Sequence, residues 1–473
     1  MRPAQVVVIG AGWAGIAAAI HLARAGRAVR LLDAAPQAGG RARRVTLQWI
    51  HPRHGKQPVE LDNGQHLLLG AYTEVLELLR LTGGSDAARM ERYPMRLAGS
   101  GGLLLERPAF ERGGTAGTLL APLSSLFGLL RARGLSAGSR WAMMRALLGL
   151  RMAGWRVPEG VLTVDDWFGQ ARQPAELVER VWRPLVIAAL NTPTDRACAA
   201  TFLRVVRDSL GAGHAASDFI LARRNLGDLF VDPGIAWLRE HGAEVTLRCD
   251  VRRIVRGGSH RYRVLGGTRA AVAPLEIECD EIVIATPPYA SARLLDGLAD
   301  PSLVATLGRF DYLPITTAYL GWPEDPVARD AGDPRQRHSP LPGMLALRDA
   351  PAEQRYAQWF FDRGRLGHWH VAALVLSDSR DARELGDSRL ADALIRQLLL
   401  EVDLPAPTQL SLIHEKRATI ACTPERPRLA GDAVGDALPG IALAGDYVYA
   451  DYPATLEGAV RSGRLAAELL LRD

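Results

Sequence analysis

The sequence predicts an α/β fold in which a parallel-sheet domain is interleaved with a second domain of antiparallel sheet plus helices. Three observations predict it. Residues 5–9 (QVVVI), a glycine-rich turn and an Ala-rich helix run into residues 28–33 (AVRLLD), which is a βαβ unit. Buried-strand signals return far away, at 280–286 (DEIVIAT) and at 440–444 (GIALA), the latter leading into a final helix over 455–471. Between these lie runs of strand-like alternation at 316–322, 343–348, 356–362, 369–376 and 411–420, the pattern of an antiparallel sheet.

Taken in order, the first helix runs to about Ala25, with Gly26 as its stop. Residues 45–60 read as a loop, and 60–80 as a loop entering a helix. Residues 115–156 are rich in Leu, Met, Trp and Arg and read as helical; 163–240 read as further helices broken at Pro174, Pro184 and Pro193. β-branched residues return near 244–256, and 330–342 is polar, Pro/Gly-rich surface loop. A chain of 473 residues suggests two domains. The expected division gives 1–100, 235–295 and 420–473 to one domain, and the helical 101–234 with the sheet of 296–419 to the other.

Composition narrows the function classes. Hydrophobic content of 48% and charged content of 23% are those of a globular protein. Lys56 and Lys416 are the only lysines, net charge is +5, and no compact Lys/Arg run occurs, so no nucleic-acid partner is expected. Cys198, Cys249, Cys279 and Cys422 lack metal-ligand or redox spacing, which suits reduced thiols in a cytoplasmic protein. The apolar start after Arg2 resembles a signal peptide, but the same residues form a complete binding motif. No stretch reaches the roughly 18 apolar residues of a spanning helix.

That motif is Gly10-x-Gly12-x-x-Gly15, directly after a strand and before a helix, with Trp13 and Ala14 inside it. One glycine makes the turn, one admits a pyrophosphate, and one lets helix and strand pack. The helix N-terminus offers free N–H groups to phosphates. Asp33 closes the next strand, roughly 20 residues on, where an acid accepts a ribose hydroxyl. Gly39-Gly40-Arg41 follows. Asp62-Asn63-Gly64-Gln65-His66 is a third element, and Gly445-Asp446 ahead of Pro453-Ala-Thr-Leu-Glu-Gly-Ala-Val-Arg-Ser-Gly463 a fourth.

On these motifs the chain resembles the flavin amine oxidase and carotenoid desaturase superfamily. The resemblance implies a Rossmann-like domain holding one FAD. It gives Arg41 to the pyrophosphate and Asp446 to the ribityl–phosphate region. It passes Gly64 and Gln65 along the flavin ring, and it brings the Val251 backbone to adenine. Leu456, at the start of the last helix, would present its N–H to the flavin pyrimidine carbonyl, where a helix N-terminus stabilises the charge of reduced flavin.

Further wording is similar to the hydroxysqualene dehydroxylase branch: GAGWAG, GGRARR, DNGQHLLLGAY, EKRATIACTPERPR and AGDYVYADYPATLEGAVRSG. The one departure is Asp33, where Glu is commoner. The implied reaction is reductive removal of the allylic hydroxyl of hydroxysqualene, giving squalene. His66, Asp451 and Tyr452 are the candidate proton donors; each could equally be a cap or ring-orienting group. The same scaffold in a carotenoid-type desaturase runs the hydride in reverse. An amine oxidase would place an aromatic where Thr455 stands, and a non-enzymatic prenyl-binding escort would not need the intact flavin motifs.

The expected substrate is a long apolar isoprenoid. The chain is therefore expected on the inner face of the cytoplasmic membrane as a peripheral protein, with the enzyme that makes hydroxysqualene as a further expected contact. Leu119, Leu120, Leu123, Leu126, Phe127, Leu129 and Leu130, then Trp141, Met143, Met144, Leu147 and Leu148, interspersed with arginines, suit an interfacial helix or a pair of lid helices.

Overall fold

A computed structural model describes residues 5–106, 128, 131–212, 214–268, 274–324, 344–402, 404–435 and 437–472. The βαβ unit forms from β1 (Gln5–Ile9), α1 (Trp13–Arg24) and β2 (Ala28–Leu32). Strand β1 is the centre of a five-stranded parallel sheet in the order β10 (Glu244–Thr246), β2, β1, β14 (Glu281–Ile284), β20 (Ile441–Leu443). Three distant chain segments therefore share one sheet. Its central strands are largely apolar because α1 covers one face and an apolar cluster reaching Ile254, Tyr262 and Val264 the other.

The final helix, α9 (Leu456–Leu470), packs along α1. The contact is unusually close: a Cβ on Gly463 would stand 2.2 Å from the Ala14 carbonyl oxygen and 3.0 Å from Ala17 Cβ. The alanines of α1 are thus the small face that the last helix needs. Beside the parallel sheet, β11 (Cys249–Arg256), β12 (Tyr262–Thr268) and β13 (Pro274–Cys279) make a small antiparallel sheet.

The second domain is built on a seven-stranded sheet. Its order is β19 (Gln409–Ile420), β15 (Tyr312–Pro323), β18 (Trp369–Ser377), β17 (Trp359–Leu366), β16 (Met344–Ala346), β7 (Arg96–Gly99), β8 (Leu103–Glu106). All pairings are antiparallel except β16 with β7. Residues alternate between two cores: Val371, Ala373 and Val375 of β18 face one, Ala372, Leu374 and Leu376 the other. On the first side lie α3 (Ala137–Met152), α4 (Val164–Gln170), α5 (Arg183–Leu190) and α6 (Ala199–Ser209). On the other lies α8 (Asp387–Glu401), through Leu390, Leu394 and Leu398.

Several expectations need correction. Residues 45–60 form most of a hairpin, β3 (Arg44–His51) with β4 (Gly55–Asp62). Pro184 breaks nothing: helical backbone continues from Ala175 to Leu190, and the π-wound turn Val178–Trp182 just before Pro184 accommodates its missing N–H. Strand β7 begins before residue 100 yet already pairs into the second sheet. The nominally helical 101–234 contributes β8 and also β9 (Phe219–Ala222), which joins β5 (Leu68–Leu69) and β6 (Met90–Tyr93). The loop expected at 330–342 lies outside the described residues, as do Leu119, Leu120, Leu123, Leu126, Phe127, Leu129 and Leu130. Among the described residues, no helix is long and apolar enough to cross a membrane.

The Gly463 contact predicts a measurable cost. Gly463→Ala must push α9 off α1, and chemical denaturation should show a loss of about 1–3 kcal/mol. Unchanged stability would mean the two helices have slack that the geometry denies.

Candidate functional site

The glycine turn is sterically compulsory. Gly10 has φ +109°, its N–H donates to the Leu32 carbonyl, and a Cβ on Gly15 would stand 1.8 Å from the Gly10 carbonyl oxygen. Gly12 differs, since its φ of −76° suits any residue and a Cβ there would meet only Gly40 Cα, at 3.9 Å. Gly12 and Gly40 face each other at the open N-terminus of α1, where the first N–H groups have no intrahelical acceptor. This is an open cradle rather than a packed one, and it fits a pyrophosphate.

Asp33 lies at one end of the cradle. Its two carboxylate oxygens accept from the N–H groups of Ala11 (2.6 Å) and Ala35 (2.7 Å). Burial pushes its pKa up, opposed by those two hydrogen bonds. Each oxygen keeps a second lone pair for a ribose hydroxyl. The Asp33 carbonyl accepts from Cys249 N, which seats the start of β11, and with it Val251, beside this acid.

Arg41 lies at the other end. It donates to Asp446 at 2.5 Å and to the Ala418 carbonyl at 3.0 Å. Burial works against its charge, but Asp446 outweighs that, and the Arg41 pKa is raised. Asp446 is 6% exposed at its side chain and Arg41 33%, so the guanidinium keeps open surface for an anion. Gly445, at φ +153°, donates to Ser462 Oγ and turns Asp446 toward Arg41.

The Asp62–His66 segment runs past β15. Asp62 accepts from Leu226 N at 2.7 Å, its carbonyl accepts from Tyr319 OH, and Asn63 donates to Glu415 at 2.7 Å. Gly64 then faces Thr317 Oγ1 and the His66 ring; a Cβ there would lie 3.7 and 3.8 Å from them. Thr317 Oγ1 and His66 Nδ1 are buried and meet no protein partner among the described residues. Orphaned polar atoms beside an approachable backbone are what a heterocycle with its own donors and acceptors would satisfy. Together with the cradle, they fit FAD. Burial lowers the His66 pKa to about 4, so its ring is neutral at physiological pH.

At the tail, Thr455 caps α9 by accepting from Gly458 N at 2.9 Å, and Ala454 before it is held at φ +59°. Leu456 is the first helical residue, and helical geometry leaves its N–H without an intrahelical acceptor. The other expected proton donors are engaged elsewhere. Asp451 is exposed and ion-paired with Arg204. Tyr452 donates to Asp208 at 2.6 Å, and burial pushes its pKa up to about 12.

Four residues have roles that the sequence reading did not assign. Arg363 sits at a bulge in β17, donates to Gln65 Oε1 and braces the Ala222 and Arg224 carbonyls, fixing the ring-side segment. Its signal was Asp362-Arg363-Gly364 inside a strand run. Glu457, 1% exposed, accepts from Glu74 N and Val75 N and so caps α2 (Thr73–Leu81), while Arg461 neutralises it. Thr317 and the buried Asp62 carboxyl carried no sequence signal of their own.

Two outcomes follow. Gly12→Val should fold with near-native melting of the apoprotein yet purify without flavin, because its side chain fills the cradle and touches little else; full flavin occupancy would refute the cradle. Burial pushes the Asp62 pKa up to about 7, with Arg363 opposing. A raised folded pKa means the native state binds the extra proton, so this group's contribution falls as pH rises from about 4 to about 7. The stability of the wild type relative to Asp62→Asn should decline across that window. A pH-independent difference would contradict it.

Comparisons with known proteins agree with this geometry. The protein is 29% identical to hydroxysqualene dehydroxylase of Rhodopseudomonas palustris, over 98% of each chain. It is 26% identical to the protein of that name from Sinorhizobium fredii, over 100% of this chain and 99% of the other. The 15-cis-phytoene desaturase of an Oncidium hybrid cultivar is 24% identical over 100% of this chain and 78% of its own. A solved structure of a putrescine oxidase double mutant superposes with a TM-score of 0.68 at 15% identity, over 100% of this chain and 99% of that one, which shows the same fold. The flavin containing amine oxidoreductase family matches residues 13–471. Glycine cradle, Arg41–Asp446 closure and capped final helix fit the FAD of an oxidoreductase, and the chain belongs to the flavin containing amine oxidoreductase family.

Proposed function

We propose that the protein reductively removes the hydroxyl of hydroxysqualene to give squalene, a step toward hopanoids and other triterpenoids. The observation that carries this reading is likeness along the whole chain to proteins named hydroxysqualene dehydroxylase, at higher identity than to the phytoene desaturase. The desaturase direction on the same scaffold is the second reading.

The chemistry balances simply. The allylic C–O bond breaks with its electron pair on oxygen, one proton drawn from bulk water makes that oxygen water, and a hydride fills the carbon. Bound FAD in its reduced form supplies the hydride. The chain supplies surroundings and a hydrogen-bond donor. Trp49, Trp182, Phe202, Tyr319 and Trp359 belong to one apolar cluster that also meets Ala454 at the entrance to α9 and excludes water from an allylic cation. A neutral His66 can donate a hydrogen bond to the departing hydroxyl without bringing positive charge against that cation. Arg41 and the N-terminus of α9 hold negative charge on the cofactor side. We assign the hydrogen-bond donor role to His66, since Asp451 and Tyr452 are held by Arg204 and Asp208. An insoluble substrate implies loading from a bilayer on its cytoplasmic side, or delivery by the enzyme that makes hydroxysqualene.

Anaerobic protein with photoreduced flavin should convert hydroxysqualene to squalene in a single turnover. His66→Ala should slow that step by about 100-fold per flavin bound. Absence of squalene, with desaturation of a polyene precursor by the oxidised protein, would replace this reading with the desaturase one.

A further inference from the structure

The arginines of this chain are concentrated. Residues 131–158 hold Arg131, Arg133, Arg140, Arg145, Arg151 and Arg156 with no Asp or Glu, on a chain whose net charge is only +5. Helix α3 lies within that stretch. Its inner face, Met143, Ala146 and Leu150, is buried against Trp167 and Trp182 in the core beside the second sheet. Its outer face is not polar. Trp141 is 61% exposed, Leu148 45% and Met152 88%. With Arg145 they follow the spacing i, i+4, i+7, i+11, a single stripe down the helix. Leu162, 63% exposed, lies on the loop that follows.

A groove of about 580 Å³ opens between α3 and α4, lined by Arg145, Gly149, Leu150, Arg156, Trp167 and Arg172. Among the described residues, no carboxylate is ion-paired with Arg145, Arg151, Arg156 or Arg172. Cationic heads beside exposed Trp, Leu and Met require a partner that is anionic in one layer and apolar in the next. A nucleic acid or an acidic protein surface supplies the first layer only.

We propose that this face docks on an anionic phospholipid bilayer. Trp141, Leu148 and Met152 enter the acyl boundary, and Arg145, Arg156 and Arg172 hold headgroup phosphates in the groove. The inference rests on the dehydroxylase reading only for the need of a bilayer; the surface stands on its own geometry.

The test is co-sedimentation of the full-length flavoprotein with phosphatidylcholine vesicles, with and without phosphatidylglycerol, at low and high salt. Binding should require phosphatidylglycerol and weaken with salt. Each arginine near such a surface contributes about a fivefold factor, so Arg145→Gln with Arg156→Gln should lower partitioning roughly 25-fold. Arg239→Gln, exposed on the helix Asp232–Glu240 elsewhere, should bind as the wild type does. Flavin content and melting report whether each variant folds. Independently, acyl-brominated phosphatidylglycerol should quench fluorescence that Trp141→Phe removes. No binding to phosphatidylglycerol vesicles, equal binding to pure phosphatidylcholine, wild-type binding by the double variant, or no quenching at Trp141 would each overturn the proposal. Detergent-solubilised hydroxysqualene separates the two readings: squalene formed there without vesicle binding removes the docking face alone, and vesicle binding without squalene removes the dehydroxylase reading alone.

Discussion

The ion pair between Arg41 and Asp446 is the constraint on which the site depends. It joins residues 405 apart in sequence, and Arg41 also donates to the Ala418 carbonyl on the second sheet. One side chain thus ties the N-terminal βαβ unit, the C-terminal turn and the second domain together. Asp446 is almost wholly buried, and a buried carboxylate left without its partner costs about 3–5 kcal/mol. The turn at Gly445 therefore has one favourable orientation, and that orientation sets where α9 begins. The start of α9 is thus placed by an interaction with the Gly39-Gly40-Arg41 turn.

Around that closure, polar groups are either fully engaged or left open on one side. Glu457 spends both oxygens on the α2 N-terminus, and Tyr452, Asp451 and Asn63 all have protein partners. Thr317 and His66, by contrast, keep buried atoms without partners beside Gly64. The difference separates framework from ligand surface. Burial also lowers the His66 pKa to about 4, so that ring is neutral at physiological pH.

The flavin frame was legible because its chemistry is local. Gly10, Gly12 and Gly15 sit within six residues, and strand, turn and helix each leave their own period in the chain. Arg41 and Asp446 were readable through resemblance, though their direct contact was not. Other features depend on distant partners and leave little local trace. Arg363 looks like any strand-end arginine until its bulge brings it to Gln65. Glu457 reads as an ordinary first-turn acid, while its partner is the end of another helix. Pro184 misled because a lone proline signals a break, whereas the π turn before it lets the helix continue past that proline. The hairpin Arg44–His51 with Gly55–Asp62 was missed because its histidines and lysine look like loop chemistry.

The central claim is that Arg41 and Asp446 act as one unit to close the FAD site, and a double-mutant cycle tests it most directly. Flavin content and unfolding free energy would be measured for Arg41→Ala, Asp446→Asn and the pair. The account predicts that each single variant loses most of its flavin and that the double variant loses no more than the worse single one, a coupling of at least about 1 kcal/mol. Additive losses, or full flavin occupancy in either single variant, would contradict it.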